Sequence, residues 1–250
     1  LHRAAYQALG LDDWTYDRVR VEADQLAAHV ASLDNSWRGL SLTMPLKEAA
    51  FEVVHAVSDL AVRVGAINTL VRDEAGWSGH NTDVYGVAEA LRAAGVTHAR
   101  AAVLVGAGAT ARSALAALAE LGAASVSFMV RDSVRPSTLS VAADLGLATQ
   151  TVPMGHWPFG TDVIVSTIPA TGYAGLIGAL PEAHPGHAVL DCVYGDGPSP
   201  LLGVAKELGY AVVAGTEMLL HQAREQVRLM TGWDAPTEAM RAALVGAVDR

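Results

Sequence analysis

The sequence predicts an α/β protein of two lobes, one of them built on a doubly wound parallel sheet, and three observations predict it. From residue 101 onward, short apolar strands alternate with helix-forming stretches, a pattern that lays strands parallel with helices on both faces. The first of these strands, Val103-Leu104-Val105, runs into Gly106-Ala107-Gly108-Ala109-Thr110-Ala111 and then into the apolar run Ala114 to Leu121. Two helical stretches close the chain, from Gly215 and from Pro236, and no strand follows them. They are expected to return to the N-terminal part, which gives a discontinuous lobe of residues 1–82 plus 216–250, a second lobe of 83–215, and a cleft between the two.

Bulk properties narrow the class. A chain of 250 residues has core enough for two modest domains, and 51% apolar residues with 6% aromatics suit an α/β protein. A formal charge of −9 without a long basic run argues against a nucleic-acid partner. The single cysteine, Cys192, rules out an internal disulfide and suits a reducing cytoplasm. The apolar stretch Ala114 to Val130 is interrupted by Glu120, Gly122 and two serines, so it reads as helix, turn and strand instead of a membrane span. No signal peptide is visible. The chain starts at Leu1-His2-Arg3 inside a helical pattern and without methionine, so further residues are expected upstream.

In the first lobe, His2 to Leu9 reads as a helix, Gly10 to Asp13 as a turn, and Trp14 to Val21 as a strand. Glu22 to Leu33 places Leu26, His29, Val30 and Leu33 on one helical face, with His29 at the core edge. Gly39 to Thr43 reads as a strand that stops at Pro45, a residue suited to the first turn of a helix. That helix is supported by an apolar stripe of Leu46, Ala49, Ala50, Val53, Val54 and Val57. Lys47 then sits in the first turn, where the macrodipole disfavours a positive charge, and this suits a proton-transfer group as well as an ordinary exposed lysine. Gly65 to Val71 reads as a strand or turn-strand, and Gly76 to Asp83 follows. Asn68, Asn81, Thr82 and Asp83 cluster at segment ends beside glycines, where side chains can project into a cleft. Asp83 also serves as the cap or first-turn acid of a helix from Val84 to Ala94.

In the second lobe, strands are expected near 101–105, 125–130, 148–152, 162–167, 187–193 and 210–214. The glycine stretch occupies the first strand-helix turn of this sheet, where a Rossmann-like fold holds a dinucleotide pyrophosphate at a helix N-terminus. Gly106 permits the tight turn, Gly108 lets the backbone approach the phosphates, and Ala111 allows close packing of helix on strand. The second strand ends at Arg131, with Arg135 nearby, so a guanidinium is available for a 2′-phosphate; this favours NADP, while adjacent Asp132 pulls the other way. Ser166 and Thr167 end the fourth strand as a polar lining for the cofactor. Tyr194 follows the fifth strand, and Gly195-Asp196-Gly197-Pro198 forms a loop at the same edge.

No zinc-protease motif, cysteine ligand cluster or nucleophile elbow occurs, and the nine histidines are scattered, so no metal is expected. Carbonyl reduction then needs a hydride from the cofactor and a proton from a side chain, which Lys47 beside Asp83 can supply.

These residues together resemble the shikimate dehydrogenase family along nearly the whole chain. The resemblance rests on Thr43-x-Pro45-x-Lys47, Gly65-Ala66-Ile67-Asn68-Thr69, Asn81-Thr82-Asp83, the glycine loop, Arg131, Asp191-x-x-Tyr194 and Gly215-x-x-Met218-Leu219-x-x-Gln222-Ala223. It implies reversible, NADP-dependent reduction of 3-dehydroshikimate to shikimate on the route to aromatic amino acids. Lys47 would transfer the proton, and Asp83 would fix it and bind a ring hydroxyl. Thr43, Asn68, Tyr194 and Gln222 match substrate-binding positions. Gly106, Gly108, Ala109 and Thr110 match the pyrophosphate loop, Arg131 the 2′-phosphate site, and Gly215 and Met218 the nicotinamide surroundings.

The sequence departs from the family pattern at several points. The Ser-x-Ser motif that binds the substrate carboxylate would stand just before His2, ahead of Leu1. Ser41 replaces an Asn, Ala109 a second adjacent glycine, and Val130 and Asp132 an Asn and a Thr. Alternatives within the class are quinate/shikimate or aminoshikimate dehydrogenases using NAD. An inactive dinucleotide-binding sensor is the alternative outside it. The protein is expected to be a monomer or homodimer.

Overall fold

Aromatic alternation between Trp14 and Val21 has the look of a strand, but in the computed structural model it lies against a helix. The structure describes residues 1–195 and 197–248, and the chain divides into two units, Leu1–Thr82 joined by the chain from Leu220 onward, and Asp83–Leu219. In the first unit, His2–Ala8 forms helix α1. Trp14 packs on Tyr6 at 5.3 Å between ring centroids, and Tyr16 stacks on His2 at 4.0 Å. Arg3 Nε donates to the Tyr16 carbonyl at 2.8 Å. Residues 14–22 pair with no strand, and Trp14 and Tyr16, which alternate toward one face, are half-buried against α1.

A short 3₁₀ turn, Ala23–Gln25, leads into α2 (Leu26–Ser32), whose Leu26 and Val30 are buried while His29 stays at the edge. Strand β1 (Gly39–Ser41) follows, and then α3 (Leu46–Ala49). The expected helix from Pro45 through Val57 stops after those four residues. A 3₁₀ turn covers Ala50–Val53, Val54 is extended, and Ala56–Val57 is strand β2. Three valines stiff at χ1 favour that outcome. Leu46 and Ala50 still reach the core of Ile67, Leu70 and Trp77, with Val53, Val54 and Val57 packed against it. The stripe is thus buried by a turn and a strand.

Helix α4 (Asp59–Val64), which hydrophobic spacing did not announce, is capped by Ser58 Oγ, which accepts the Ala61 N–H at 3.3 Å, and ends at Gly65 with φ +60°. Strands β3 (Thr69–Asp73) and β4 (Gly76–His80) complete a mixed four-stranded sheet in the order β1-β3-β4-β2.

The second unit opens with α5 (Asp83–Ala93) and continues β5 (Ala101–Val105), α6 (Ala109–Glu120), β6 (Ser125–Met129), α7 (Pro136–Asp144) and β7 (Ala148–Val152). It goes on through β8 (Val163–Ser166), α8 (Ala174–Ile177), β9 (Ala188–Asp191), α9 (Pro200–Glu207) and β10 (Ala211–Ala214). All six strands are parallel, in the order β10-β9-β8-β5-β6-β7, and they fall where alternation placed them. Strand order reverses at β5, which makes its carboxyl end the switch point of the sheet. Val103, Val105, Met129, Ile164 and Val189 are buried in one core. Helix α10 (Gly215–Thr231) starts in this unit, and its residues from Leu220 onward belong to the first. Leu220, Ala223 and Val227 join Ala5, Tyr6 and Met240 of α11 (Thr237–Val248) in a separate core of the first unit. Among the described residues no helix is long and apolar enough to cross a membrane.

Candidate active site

The glycine loop works through missing side chains. Gly106 has φ +103°, and its N–H donates to the Met129 carbonyl at 3.1 Å. A Cβ there would lie 2.5 Å from Thr167 Oγ1 and 3.0 Å from Ile168 Cγ2. Thr167 in turn donates its hydroxyl to the Val105 carbonyl at 2.9 Å, so this polar strand end braces the loop. Gly108 is the N-cap of α6, and a Cβ there would meet nothing within 4 Å. The first turn, with Ala109 and Thr110, carries no acidic residue and no side-chain cap. Open space above uncapped N–H groups at the start of a twelve-residue helix is what a phosphate needs, so these residues fit a dinucleotide pyrophosphate.

Arg131 is exposed just past the end of β6, with Asp132 and Arg135 exposed beside it in sequence. Gly215 opens α10, and a Cβ on it would come within 2.8 Å of the Asp191 carbonyl oxygen, so no side chain fits. Met218 is buried one turn later. Tyr194 is 54% exposed in the segment after β9. Of the loop read at 195–198, Asp196 lies outside the described residues.

That segment is anchored by Asp191, a family position in the sequence, together with Tyr173 and Ser199, to which the sequence did not point. The buried Asp191 carboxylate accepts the Tyr173 hydroxyl at 2.6 Å, the Ser199 hydroxyl at 2.5 Å and the Val193 N–H at 3.2 Å. Burial and the bond to Asp191 hold the Tyr173 phenol well above its ordinary range, so it serves there as a donor.

The first unit works in the opposite way, through side chains that meet. Asn68, 1% exposed, accepts at Oδ1 from the Thr82 N–H and the Thr69 hydroxyl, both at 2.8 Å. Its Nδ2 donates to Thr82 Oγ1 at 2.9 Å and reaches Gln222 Oε1 at 3.4 Å. Asn68 and Gln222, 154 residues apart, are thereby brought together. Behind them Gln226 donates to Thr69 Oγ1 at 3.0 Å and accepts from the Ser41 hydroxyl at 2.8 Å. His2 also hydrogen-bonds Gln226, and burial is the main cause that lowers its pKa to about 4. Gln226 was missed; the signal was its spacing of one helical turn from Gln222.

Two backbone bonds lay the segment carrying Thr43 and Lys47 beside Asn68. The Leu42 N–H donates to the Asn68 carbonyl at 2.7 Å, and the Ile67 N–H to the Lys47 carbonyl at 2.8 Å. Thr43 is exposed ahead of a cis Met44–Pro45 peptide, and Lys47 is half-buried on α3. A helix of four residues has little macrodipole, so the helix-start argument for Lys47 falls away and its place beside Asn68 is what remains. Asp83, buried, opens α5 directly after Thr82. Among the described residues no group of three or more His, Cys, Asp or Glu could hold a metal ion.

Comparison with known proteins agrees in both units. Residues 1–70 match the model of the shikimate dehydrogenase substrate binding domain, and residues 215–245 that of the shikimate 5′-dehydrogenase C-terminal domain. Shikimate dehydrogenase (NADP(+)) of Anaeromyxobacter sp. (strain Fw109-5) is 35% identical over 267 residues, spanning 100% of this chain and 91% of the relative. The crystal structure of Mycobacterium tuberculosis shikimate dehydrogenase superposes with a TM-score of 0.88 at 39% identity, over 98% of this chain and 92% of that one. Shikimate 5-dehydrogenase from Thermus thermophilus, solved in complex with NADP(H) and shikimate, gives 0.79 at 30% identity, over 98% and 92%. This chain belongs to the shikimate dehydrogenase family.

Proposed function

We propose that the protein is an NADP-dependent shikimate dehydrogenase, interconverting shikimate and 3-dehydroshikimate in aromatic amino-acid biosynthesis in the cytoplasm. The observation that carries this reading is similarity over the full chain to an enzyme named for that reaction. The polar set around Asn68 and the open loop at Gly108 support it chemically. Residues 1–82 plus the chain from Leu220 onward form the substrate domain and 83–219 the cofactor domain, a boundary four residues later than the sequence suggests.

In the oxidative direction one C–H and one O–H bond of the secondary alcohol break, and a carbonyl forms. Bound NADP supplies the hydride acceptor, or in its reduced form the hydride donor. Lys47 takes the hydroxyl proton and returns it in reduction, and Asp83 orients Lys47 and accepts a ring hydroxyl. Asn68, Thr43, Tyr194 and Gln222 bind the remaining substrate groups. The α6 N-terminus at Gly106, Gly108, Ala109 and Thr110 holds the pyrophosphate, and Arg131 the 2′-phosphate. Thr167, Gly215 and Met218 line the cofactor, the glycine by leaving room. The working form is a monomer or homodimer.

The test is a spectrophotometric assay of shikimate and quinate against NADP and NAD. Shikimate with NADP should be the best pair. No shikimate-dependent reduction of either cofactor would overturn the enzyme reading, and faster turnover of quinate with NAD would move the protein to the neighbouring activity.

A further inference from the structure

Gln226 lies one turn beyond Gln222 on α10 and is 1% exposed, yet the proposed chemistry gives it no task. Hydrogen-bond direction supplies one. A backbone N–H can only donate, so the 2.8 Å bond from the Thr82 N–H identifies the acceptor oxygen of the Asn68 amide. The Thr69 hydroxyl gives its single hydrogen to that same oxygen at 2.8 Å. That direction is set by Gln226, whose Nε2 donates to Thr69 Oγ1 at 3.0 Å and occupies its acceptor side. The orientation of Gln226 is set in turn by the Asn68 backbone carbonyl, which can only accept and takes an Nε2 hydrogen at 3.4 Å, while the Ser41 hydroxyl donates to Oε1 at 2.8 Å. One bond direction therefore runs from Ser41 through Gln226 and Thr69 to Asn68, and it leaves Asn68 Nδ2 turned toward Gln222.

We infer that Gln226 is a positioning residue for substrate: through Thr69 it helps hold the Asn68 amide with one Nδ2 hydrogen on Thr82 Oγ1 and the other toward Gln222, so that a substrate hydroxyl taking the place of Gln222 Oε1 meets a fixed donor. The inference rests on the shikimate dehydrogenase reading, since it needs Asn68 to contact the substrate. Replacing the Gln226 amide by a carboxylate keeps the shape and reverses the bond. A carboxylate cannot donate to Thr69, so the Thr69 hydroxyl turns to it and leaves Asn68 Oδ1.

The experiment measures shikimate KM, NADP KM and kcat, with shikimate affinity by calorimetry, in Gln226→Glu and Gln226→Met, each alone and combined with Asn68→Ala. Each single variant should raise shikimate KM and Kd about tenfold, the factor carried by one hydrogen bond, with NADP KM and kcat within about twofold of the parent. In the Asn68→Ala background the same changes should cost less than about twofold, because the residue acts through Asn68. A purely structural role would carry the same factor into both backgrounds, and that result overturns the inference. So does an active parent whose shikimate KM is unchanged in both variants. The near-isosteric Glu variant keeps the test open if the Met variant melts. A parent that binds NADP but neither binds nor oxidises shikimate fails earlier, at the functional reading, and takes the inference with it.

Discussion

In the function proposed above, the two units hold a small polar molecule by opposite means. In the cofactor unit the working surface is backbone: Gly106 and Gly108 contribute by lacking side chains, and the N–H groups that open α6 are placed by the helix itself. In the substrate unit it is a set of side chains from distant parts of the chain, Ser41, Asn68, Thr69, Thr82, Gln222 and Gln226, each buried or half-buried and fixed by the next. The first arrangement tolerates loss of side-chain atoms and resists their addition. The second resists loss.

That difference is open to breaking, and Lys47→Ala should do most. Removing a proton-transfer group should lower kcat about a thousandfold while NADP affinity stays within about twofold. Equal losses in both would mean that Lys47 supports the fold and not the reaction.

A matched pair of glycines tests the cofactor unit. Gly106→Ala forces a side chain onto φ +103° and against Thr167 Oγ1, and should cost about 1–3 kcal/mol of stability. Gly108→Ala enters open space and should melt like the parent, yet weaken NADP about 10–100-fold by blocking the approach to the helix end. Thermal melts and cofactor titrations separate the two. Equal stability losses would put both glycines in the fold alone.

The substrate unit should betray its buried network at low pH. His2 has a pKa near 4 in the folded state against 6.5 unfolded, so the unfolded chain takes up a proton first as pH falls. The folded state's stability is unaffected by this group above pH 6.5 and falls between 6.5 and about 4, by about 3 kcal/mol. Urea titrations across that window should show a flatter pH dependence for His2→Phe. Parallel curves would assign the acid sensitivity to another group.

The smallest effect concerns Arg131, proposed above for the 2′-phosphate. Arg131→Ala should reduce the preference for NADP over NAD about tenfold without changing stability, because the residue is exposed. An unchanged ratio would remove Arg131 from the 2′-phosphate site.

The same contrast explains what could be read in the chain beforehand. The parallel sheet and its first turn are local: each strand is a short apolar run, and the glycines sit within a few residues of the strand they follow. The substrate unit is not local. Asn68 stood out as a polar residue at a segment end, Gln222 was legible only as a family position, and Gln226 became visible when α10 brought it to Thr69 across 157 residues. The reading also failed where periodicity was satisfied by an unexpected partner. Trp14 and Tyr16 alternate like a strand but pack on Tyr6 and His2 of α1. Val53, Val54 and Val57 extend a helical stripe but reach the core from a turn and a strand.

Asp191 offers a last consequence, for engineering. Its carboxylate grips Val193 and Ser199, the two stems of the segment that carries Tyr194, and through Tyr173 it ties both to the stretch preceding α8. With both stems pinned to one buried group, Tyr194 can be exchanged for another side chain while Val193, Ser199 and the sheet beneath them keep their places.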